Sequence, residues 1–279
     1  MHSSVKQTFS VLLTGVVLTC LPLISQAHRG WIMPATTVFS GEDPWVGFDA
    51  AVSNDIFIAN HAPLRLDDLQ IQAPDGSLVQ PANTATFKSR ASFDLNLKQV
   101  GTYKIATASG GLMARWETDT GERRFWPERG KKADPADFKT SVPKKAKNLE
   151  VSYNYRRVET YVTRGAPSQA ALKPTNQGLE LAPVTHPNDL FAGEAAQFVF
   201  LIDGKPAAGT NVSVVADGSR YRNNDGAREF IADKDGKVSI SWPVPGKYFI
   251  EAEYSDNKAA KPAKTRKGSY SLVVEVLPQ

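Results

Sequence analysis

The sequence contains almost no cysteine: Cys20 is the single one in 279 residues. This excludes an internal disulfide, an iron–sulfur cluster and a cysteine-rich zinc site. The signatures GxxxxGK[ST], GxGxxG, HExxH and GxSxG are also missing, which argues against the common nucleotide-binding, zinc-protease and serine-hydrolase classes. No apolar segment approaches the about 20 residues that a membrane-spanning helix needs.

The composition that remains is that of a globular protein rich in turns. Hydrophobic residues make up 41% and charged residues 22%, and there are 20 glycines and 18 prolines. So much glycine and proline is typical of short strands joined by tight turns. The formal net charge of +4 is too small to indicate a nucleic-acid partner, and we expect none.

The first 27 residues predict a secretory signal peptide. Lys6 precedes an apolar run over residues 9–18, and Ser25-Gln26-Ala27 places small residues at −3 and −1 of a cleavage site. We therefore expect a periplasmic protein whose mature chain begins at His28 and has no cysteine. The alternative is a lipoprotein cleaved before Cys20, although Val17-Leu18-Thr19 matches the usual lipobox poorly.

Apolar and polar residues alternate in short runs, which predicts an all-β fold. The run 56–60 and the segment 93–97 are two such candidate strands. We predict two Ig-like or transthyretin-like β-sandwich domains in tandem, over residues 28–165 and 179–279, joined by a linker at 166–178. Residues 119–148 lose the alternation and predict an irregular insertion.

The segment Asp233-Lys234-Asp235-Gly236 is faintly similar to a calcium-binding loop. The full DxDxDG…E spacing is missing, so a hairpin turn is the favoured interpretation.

Three segments carry a resemblance to a known family. They are Ala27-His28-Arg29-Gly30-Trp31-Ile32-Met33-Pro34, Glu159-Thr160-Tyr161-Val162-Thr163, and the run Leu179–Leu190. Together they resemble the DUF4198 family, a group of exported bacterial proteins related to periplasmic components of nickel and cobalt uptake. The resemblance implies a periplasmic location, a link to transition-metal handling and, as a candidate partner, a metal transporter of the inner or outer membrane. Arg29 stands where members usually have an acidic or apolar residue.

The candidate metal ligands are the three histidines of the predicted mature chain, His28, His61 and His186. Cleavage after Ala27 gives His28 an α-amine beside its imidazole, so that one residue can chelate an ion through two nitrogens. A second histidine would complete a three-nitrogen histidine brace, which suits Cu(II), and imidazole also suits Ni(II) and Zn(II). Glu42, Asp43, Asp49 and Asp55 are possible oxygen ligands, but none has a diagnostic spacing.

The sequence therefore predicts a metal-binding accessory protein for uptake or delivery, with no enzymatic activity, whose ion is nickel, cobalt or copper. Two other hypotheses stay open at this point. One is a copper histidine-brace oxidoreductase, and the other is an adaptor or adhesive β-sandwich protein in which the histidines are incidental.

Overall fold

The computed structural model describes residues 28–128, 131 and 133–279. The predicted signal peptide and Cys20 lie outside the described residues. Within them the chain forms nineteen strands, numbered here in chain order. The first ten are β1 Arg29–Pro34, β2 Val38–Phe39, β3 Trp45–Ser53, β4 Ala62–Pro63, β5 Leu69–Gln72, β6 Leu78–Val79, β7 Ala82–Thr86, β8 Ala91–Asn96, β9 Gly101–Glu117 and β10 Arg123–Trp126. The others are β11 Lys147–Arg164, β12 Leu179–Pro183, β13 Ala195–Ile202, β14 Lys205–Pro206, β15 Asn211–Ala216, β16 Arg228–Ile231, β17 Lys237–Ser241, β18 Gly246–Asp256 and β19 Thr265–Val276.

Helical structure in the described residues is limited to the helix α1 Phe138–Ser141 and two short 3₁₀ turns, Ala170–Leu172 and Ser219–Tyr221. None of these helices has the length and apolar character needed to cross a lipid bilayer. The all-β prediction is confirmed, and the predicted insertion at 119–148 contains β10, α1 and the connections around them.

The strands of the described chain form three sheets. The N-terminal sheet has the order β1-β3-β8-β7, with β4 also paired to β3. The central sheet has the order β16-β15-β18-β19-β11-β9-β5-β6, with β10 beside β9 and β2 beside β11. The C-terminal sheet consists of β12, β13, β14 and β17.

The other two sheets pack on opposite faces of the central sheet. Successive side chains of a strand point to opposite faces, and β11 shows this directly. Val158 and Val162 join Ile32 and Phe93 of the N-terminal sheet in one core, whereas Tyr161 joins the core beneath the C-terminal sheet. Each sandwich therefore uses the central sheet as its second layer.

The two predicted domains share the central sheet. Strand β11, from the first predicted domain, pairs in parallel with β19, from the second, over Ser152 to Thr160. A third core made by Trp31, Ile56 and Phe249, among others, joins the N-terminal sheet to β18. The domain boundaries stay a prediction, but the strands on their two sides are hydrogen-bonded neighbours.

The predicted linker is packed against the rest of the chain. Ala171 and Leu172 are buried, and Leu172 belongs to the core beneath the C-terminal sheet. The linker's end is held by the buried Glu180 carboxylate, which accepts hydrogen bonds from the backbone N–H groups of Thr175 (2.7 Å) and Gln177 (2.9 Å). Residues 166–178 therefore do not form a solvated spacer.

Asp233–Gly236 forms a turn, but the predicted hairpin is wrong, because β16 before it pairs with β15 and β17 after it pairs with β13. One Asp233 carboxylate oxygen accepts hydrogen bonds from the backbone N–H groups of Asp235 and Lys237, both at 2.9 Å. Gly236 has a φ of +74°, and a Cβ there would lie 2.3 Å from the Phe200 carbonyl oxygen. These bonds hold the Asp233 carboxylate to the turn backbone.

Candidate functional site

Two of the three candidate histidines meet in space. The imidazole rings of His28 and His61 are stacked, with their centroids 3.8 Å apart and their planes at 11°. Both residues are exposed. The structure thus places side by side two residues that are 33 positions apart in the chain.

The end of β3 explains why the two histidines converge. Strand β3 lies between β1 and β4: Arg29 pairs with Ser53 on one edge, and Ala62 pairs with Val52 on the other. His28 directly precedes β1 and His61 directly precedes β4. Because β3 ends at Ser53, no backbone of β3 lies between the two side chains. Their rings stack beyond the end of that strand.

Polar contacts hold the loop that carries His61. The Trp31 indole N–H donates to Ser53 Oγ at 2.8 Å, and Ser53 Oγ donates to the Asp55 carbonyl oxygen at 2.6 Å. Asn60 closes the loop, since its Oδ1 accepts from the Asn54 N–H (3.1 Å) and its Nδ2 donates to Asp55 (2.8 Å). Both the oxygen and the nitrogen of the Asn60 side-chain amide are therefore hydrogen-bonded, which holds the residue just before His61.

Apolar contacts anchor the same loop from below. The predicted strand at 56–60 is wrong: Ile56 and Phe57 form a turn, and residues 58–60 have no regular secondary structure. Ile56 is 2% exposed in the core that joins the N-terminal sheet to β18, and the Phe57 ring meets Trp31 edge-on at 5.9 Å. Phe57 has a φ of +63°, which is uncommon for a bulky side chain and marks a turn. The apolar run serves as a loop anchor.

The charge of Arg29, next to His28, is compensated. Its guanidinium forms ion pairs with Asp225 at 3.2 Å and with Glu251 at 3.4 Å. Burial raises the pKa of Glu251, and the attraction of Arg29 opposes that rise. The cation beside His28 is therefore held by two carboxylates.

The pair forms an open donor set. No group of three or more His, Cys, Asp or Glu side chains able to hold a metal ion occurs within residues 28–128, 131 and 133–279. Of the acids proposed as oxygen ligands, Asp55 bonds to Asn60, Asp49 to Ser92 and Asp43 to Arg164. For Glu42, the fourth, the structure gives no role at this pair. Further nitrogen donation at His28 requires the α-amine that cleavage after Ala27 would create.

His186 lies at a different place in the fold. It is 7% exposed, and its Nε2 is 3.0 Å from Thr102 Oγ1 and 3.3 Å from the Ser168 carbonyl oxygen. Its Nδ1 accepts a hydrogen bond from the Asn188 N–H at 3.0 Å. The structure does not bring His186 to the other two histidines.

The register of β11 gives the size of this separation. Thr102, the partner of His186, pairs with Thr163, whereas a Cβ added at Gly30 of β1 would lie 2.5 Å from the Arg156 guanidinium. These two levels of β11 are seven residue steps apart, which is roughly 23 Å at the usual strand rise. His28 precedes Gly30 and is on the far side of that interval.

The hydrogen-bond network around His186 fixes its protonation state. Since Nδ1 accepts from Asn188, the proton of the neutral ring is on Nε2 and is donated toward Thr102 and Ser168. Burial lowers the pKa of His186, and protonation would also place an N–H opposite the Asn188 N–H. With both ring nitrogens engaged, this side chain serves the fold.

The His28–His61 pair brings two imidazoles close together on the surface. Metal–imidazole bonds are about 2.0 Å long, so two exposed rings 3.8 Å apart need only side-chain rotation for each to offer a nitrogen to one ion. The supporting residues Ser53 and Asn60 were not identified from the sequence. The signal that could have found them is the polar run Ser53-Asn54-Asp55 directly after an alternating strand, which is typical of a structured turn.

Solved structures similar to this chain are β-rich domains of low identity. The D0-D1 domain of Intimin is 13% identical over 88% of this chain and 97% of its own, with a TM-score of 0.23. A DUF4785 family protein from Legionella pneumophila is 9% identical over 78% of this chain and 50% of its own, with a TM-score of 0.25. The human OSCAR ligand-binding domain is 10% identical over 90% of this chain and 100% of its own, with a TM-score of 0.19. At these TM-scores no argument rests on them.

Among curated protein sequences, none matches this chain. A family model does: the one described as "Domain of unknown function (DUF4198)" matches residues 25–256, which include His28, His61 and His186. The match covers the first predicted sandwich, the segment between the two, and the second predicted sandwich as far as residue 256. The chain therefore belongs to the DUF4198 family.

Proposed function

We propose that this protein binds a transition-metal ion, nickel, cobalt or copper, as cargo in the periplasm, and that His28 and His61 supply the protein ligands. The observation that carries the proposal is the 3.8 Å stacking of their two exposed rings. Imidazole nitrogen is the ligand type that these ions share.

The openness of the site favours transfer over retention. Structural metal sites in proteins are usually closed by four protein ligands. Here the described residues offer two imidazoles, and a free α-amine on His28 would add a third nitrogen. An ion held this way keeps coordination positions for solvent or for a receiving protein. A metal transporter in either membrane is the partner that this role requires.

The test begins with mass spectrometry of the exported protein, which determines whether His28 is the first residue. Isothermal titration with Ni(II), Co(II), Cu(II) and Zn(II) then compares wild type with His28→Ala and His61→Ala. We expect a dissociation constant below about 10 μM for at least one ion, equivalent to about −7 kcal/mol, and a loss of at least tenfold in each variant.

His186→Gln is the matched control, because it removes the third histidine from a site that the pair does not reach. Its affinity should stay within about twofold of wild type. The proposal is contradicted if no ion binds more tightly than about 10 μM, or if the double variant His28→Ala/His61→Ala binds as well as wild type.

A further inference from the structure

A groove of about 920 Å³ opens on the central sheet beyond the start of β1. Its floor is formed by β9, β11, β15, β18 and β19, on the face that the N-terminal sheet covers further along. Its volume falls in the range of small-molecule sites, about 300–1,000 Å³. The groove begins where the cover of β1 ends.

The character of the floor changes at this point. Under the cover, one cross-strand row consists of Thr160, Val273, Phe249 and Val215, and three of these four side chains belong to an apolar core. Two rows further, in the groove, the corresponding positions are Ser109, Arg156, Ser269, Glu253 and Asn211. In the row between them, Ser271 Oγ donates to the Gly30 carbonyl oxygen at 2.7 Å. The polar row is therefore open, since none of the strands in the described part of the chain lies over it.

Arg156 has no hydrogen bond or ion pair to any residue that the structure describes. Glu251 acts on it electrostatically, but the ion pair of Glu251 goes to Arg29. Arg156 is exposed in the groove, where partial desolvation by its surroundings lowers its pKa, and no described residue supplies an anion in contact with it. A guanidinium in such a place is suited to bind a carboxylate in two parallel hydrogen bonds.

Glu253 supplies the opposite charge in the same row. One strand, β19, lies between Arg156 and Glu253, so their backbones are about 10 Å apart. The described residues give Glu253 no ion pair either. Asn154, also in the groove, has a shielded Oδ1 with no hydrogen-bond partner within the described chain. Arg156, Glu253 and the free Asn154 oxygen thus line one polar floor, together with a second cation, Lys267, which pairs with Asn154 in the next row.

We infer that this groove binds a small zwitterion of the amino-acid or short-peptide class, with its carboxylate at Arg156 and its ammonium group at Glu253. A peptide N–H would satisfy the Asn154 amide oxygen. The inference does not depend on the proposed metal site, because none of its residues is a proposed metal ligand.

The experiment uses the exported, metal-free protein and trialanine as the probe, measured by isothermal titration. N-acetyl-trialanine removes the ammonium charge, trialanine amide removes the carboxylate, and succinate and inorganic phosphate test for a simple anion site. The variants are Arg156→Gln and Glu253→Gln. The matched control is Arg115→Gln, an exposed arginine of β9 that is paired with Glu150 and does not line the groove.

We expect trialanine to bind with a dissociation constant below about 1 mM, because the number of contacts is modest. Arg156→Gln and the amide should each weaken binding at least tenfold, and the amide should bind Arg156→Gln no worse than trialanine does. Glu253→Gln and the acetylated peptide should likewise each weaken binding at least tenfold, and the acetylated peptide should bind Glu253→Gln no worse than trialanine does. A variant that is merely unstable would not show this match, in which each substitution removes the effect of only one peptide cap.

The inference would be overturned if trialanine did not bind at a concentration of about 10 mM. It would also be overturned if the capped and free peptides bound equally, or if succinate or phosphate bound more tightly than trialanine. Unchanged binding by both groove variants would overturn it as well. None of these results bears on metal affinity, so the two proposals fail separately.

Discussion

The described chain contains two histidine environments, which lie at different levels along β11. They differ in solvent exposure and in hydrogen bonding. At one end, His28 and His61 are exposed and touch each other. At the other, His186 is 7% exposed and both of its ring nitrogens are hydrogen-bonded. One end has imidazoles available to an ion, and the other has an imidazole committed to the fold.

The difference shows that residue type alone does not identify a ligand. A buried polar group must be hydrogen-bonded or it destabilises the fold, and the bonds that satisfy it also occupy its lone pairs. Exposed side chains are satisfied by water, which an ion can displace. Metal affinity should therefore respond to changes at the open end, and stability to changes at the buried end.

The largest effect should come from blocking the α-amine of His28. One additional residue before His28 converts that amine into an amide, which no longer binds an ion without losing a proton. We expect at least a 100-fold loss of Cu(II) affinity by isothermal titration, equivalent to about 2.7 kcal/mol. Thermal stability should not change.

The matched control is the same extended chain carrying His61→Ala, which should lose little further affinity because the chelate is already broken. Equal affinity of extended and unextended protein would show that the two imidazoles act without the amine. The difference between the exposed histidine pair and His186 would then lie in their side chains alone.

The second effect is on stability at the buried end. His186→Gln removes one of the ring's hydrogen bonds, either the one that Nδ1 accepts from the Asn188 N–H or the one between Nε2 and Thr102 Oγ1. We expect the free energy of unfolding to fall by about 1–3 kcal/mol, measured by urea denaturation. His61→Gln should change it by less than about 0.5 kcal/mol, as is usual for exposed positions. Equal losses would remove the distinction between the two ends.

The sequence predicted the faces of strands better than their neighbours. In β8, alternation from Ala91 to Asn96 matches an alternation of burial. The parallel pairing of β11 with β19 had no signal, because periodicity states which face of a strand is buried and not which strand lies beside it. The run 56–60 was misread because Ile56 and Phe57 enter a core from a loop.

The candidate site was predictable in part. The chemistry of a histidine at the predicted cleavage point singled out His28, and its meeting with His61 depends on both edges of β3, which no local pattern encodes. His186 looked equivalent because its partners Thr102 and Ser168 come from distant segments or from backbone atoms. Burial and hydrogen bonding separate the three, and both are tertiary properties.

A smaller effect should appear in the pH dependence of stability. The pKa of His186 is lowered from 6.5 by burial, so the unfolded chain binds its proton more readily than the folded chain. The stability that His186 contributes is therefore complete above about pH 6.5 and is lost as the pH falls toward the lowered folded value.

Urea denaturation of wild type and His186→Gln between pH 8 and pH 5 tests this sign. The difference in unfolding free energy between the two proteins should shrink on acidification, while the titration of groups common to both cancels. A difference that grows on acidification would mean that the folded protein stabilises the charged ring.

The smallest effect should come from Asp225→Asn at the open end. Asp225 and Glu251 share the charge of Arg29, and the Arg29 and Asp225 side chains are 18% and 37% exposed, so the pair contributes about 0–1 kcal/mol to stability. Without Asp225 the charge of Arg29 is less compensated. Arg29 directly follows His28, the residue that carries the proposed amine. We expect a loss of metal affinity of less than about threefold at low salt, which disappears at about 0.5 M salt because the interaction is screened. Glu122→Gln, which removes the partner of Arg124 from a more exposed ion pair elsewhere on the surface, should have no effect at either salt concentration. A large, salt-independent loss would instead make Asp225 a ligand, and the open end would then hold a carboxylate as well as two imidazoles.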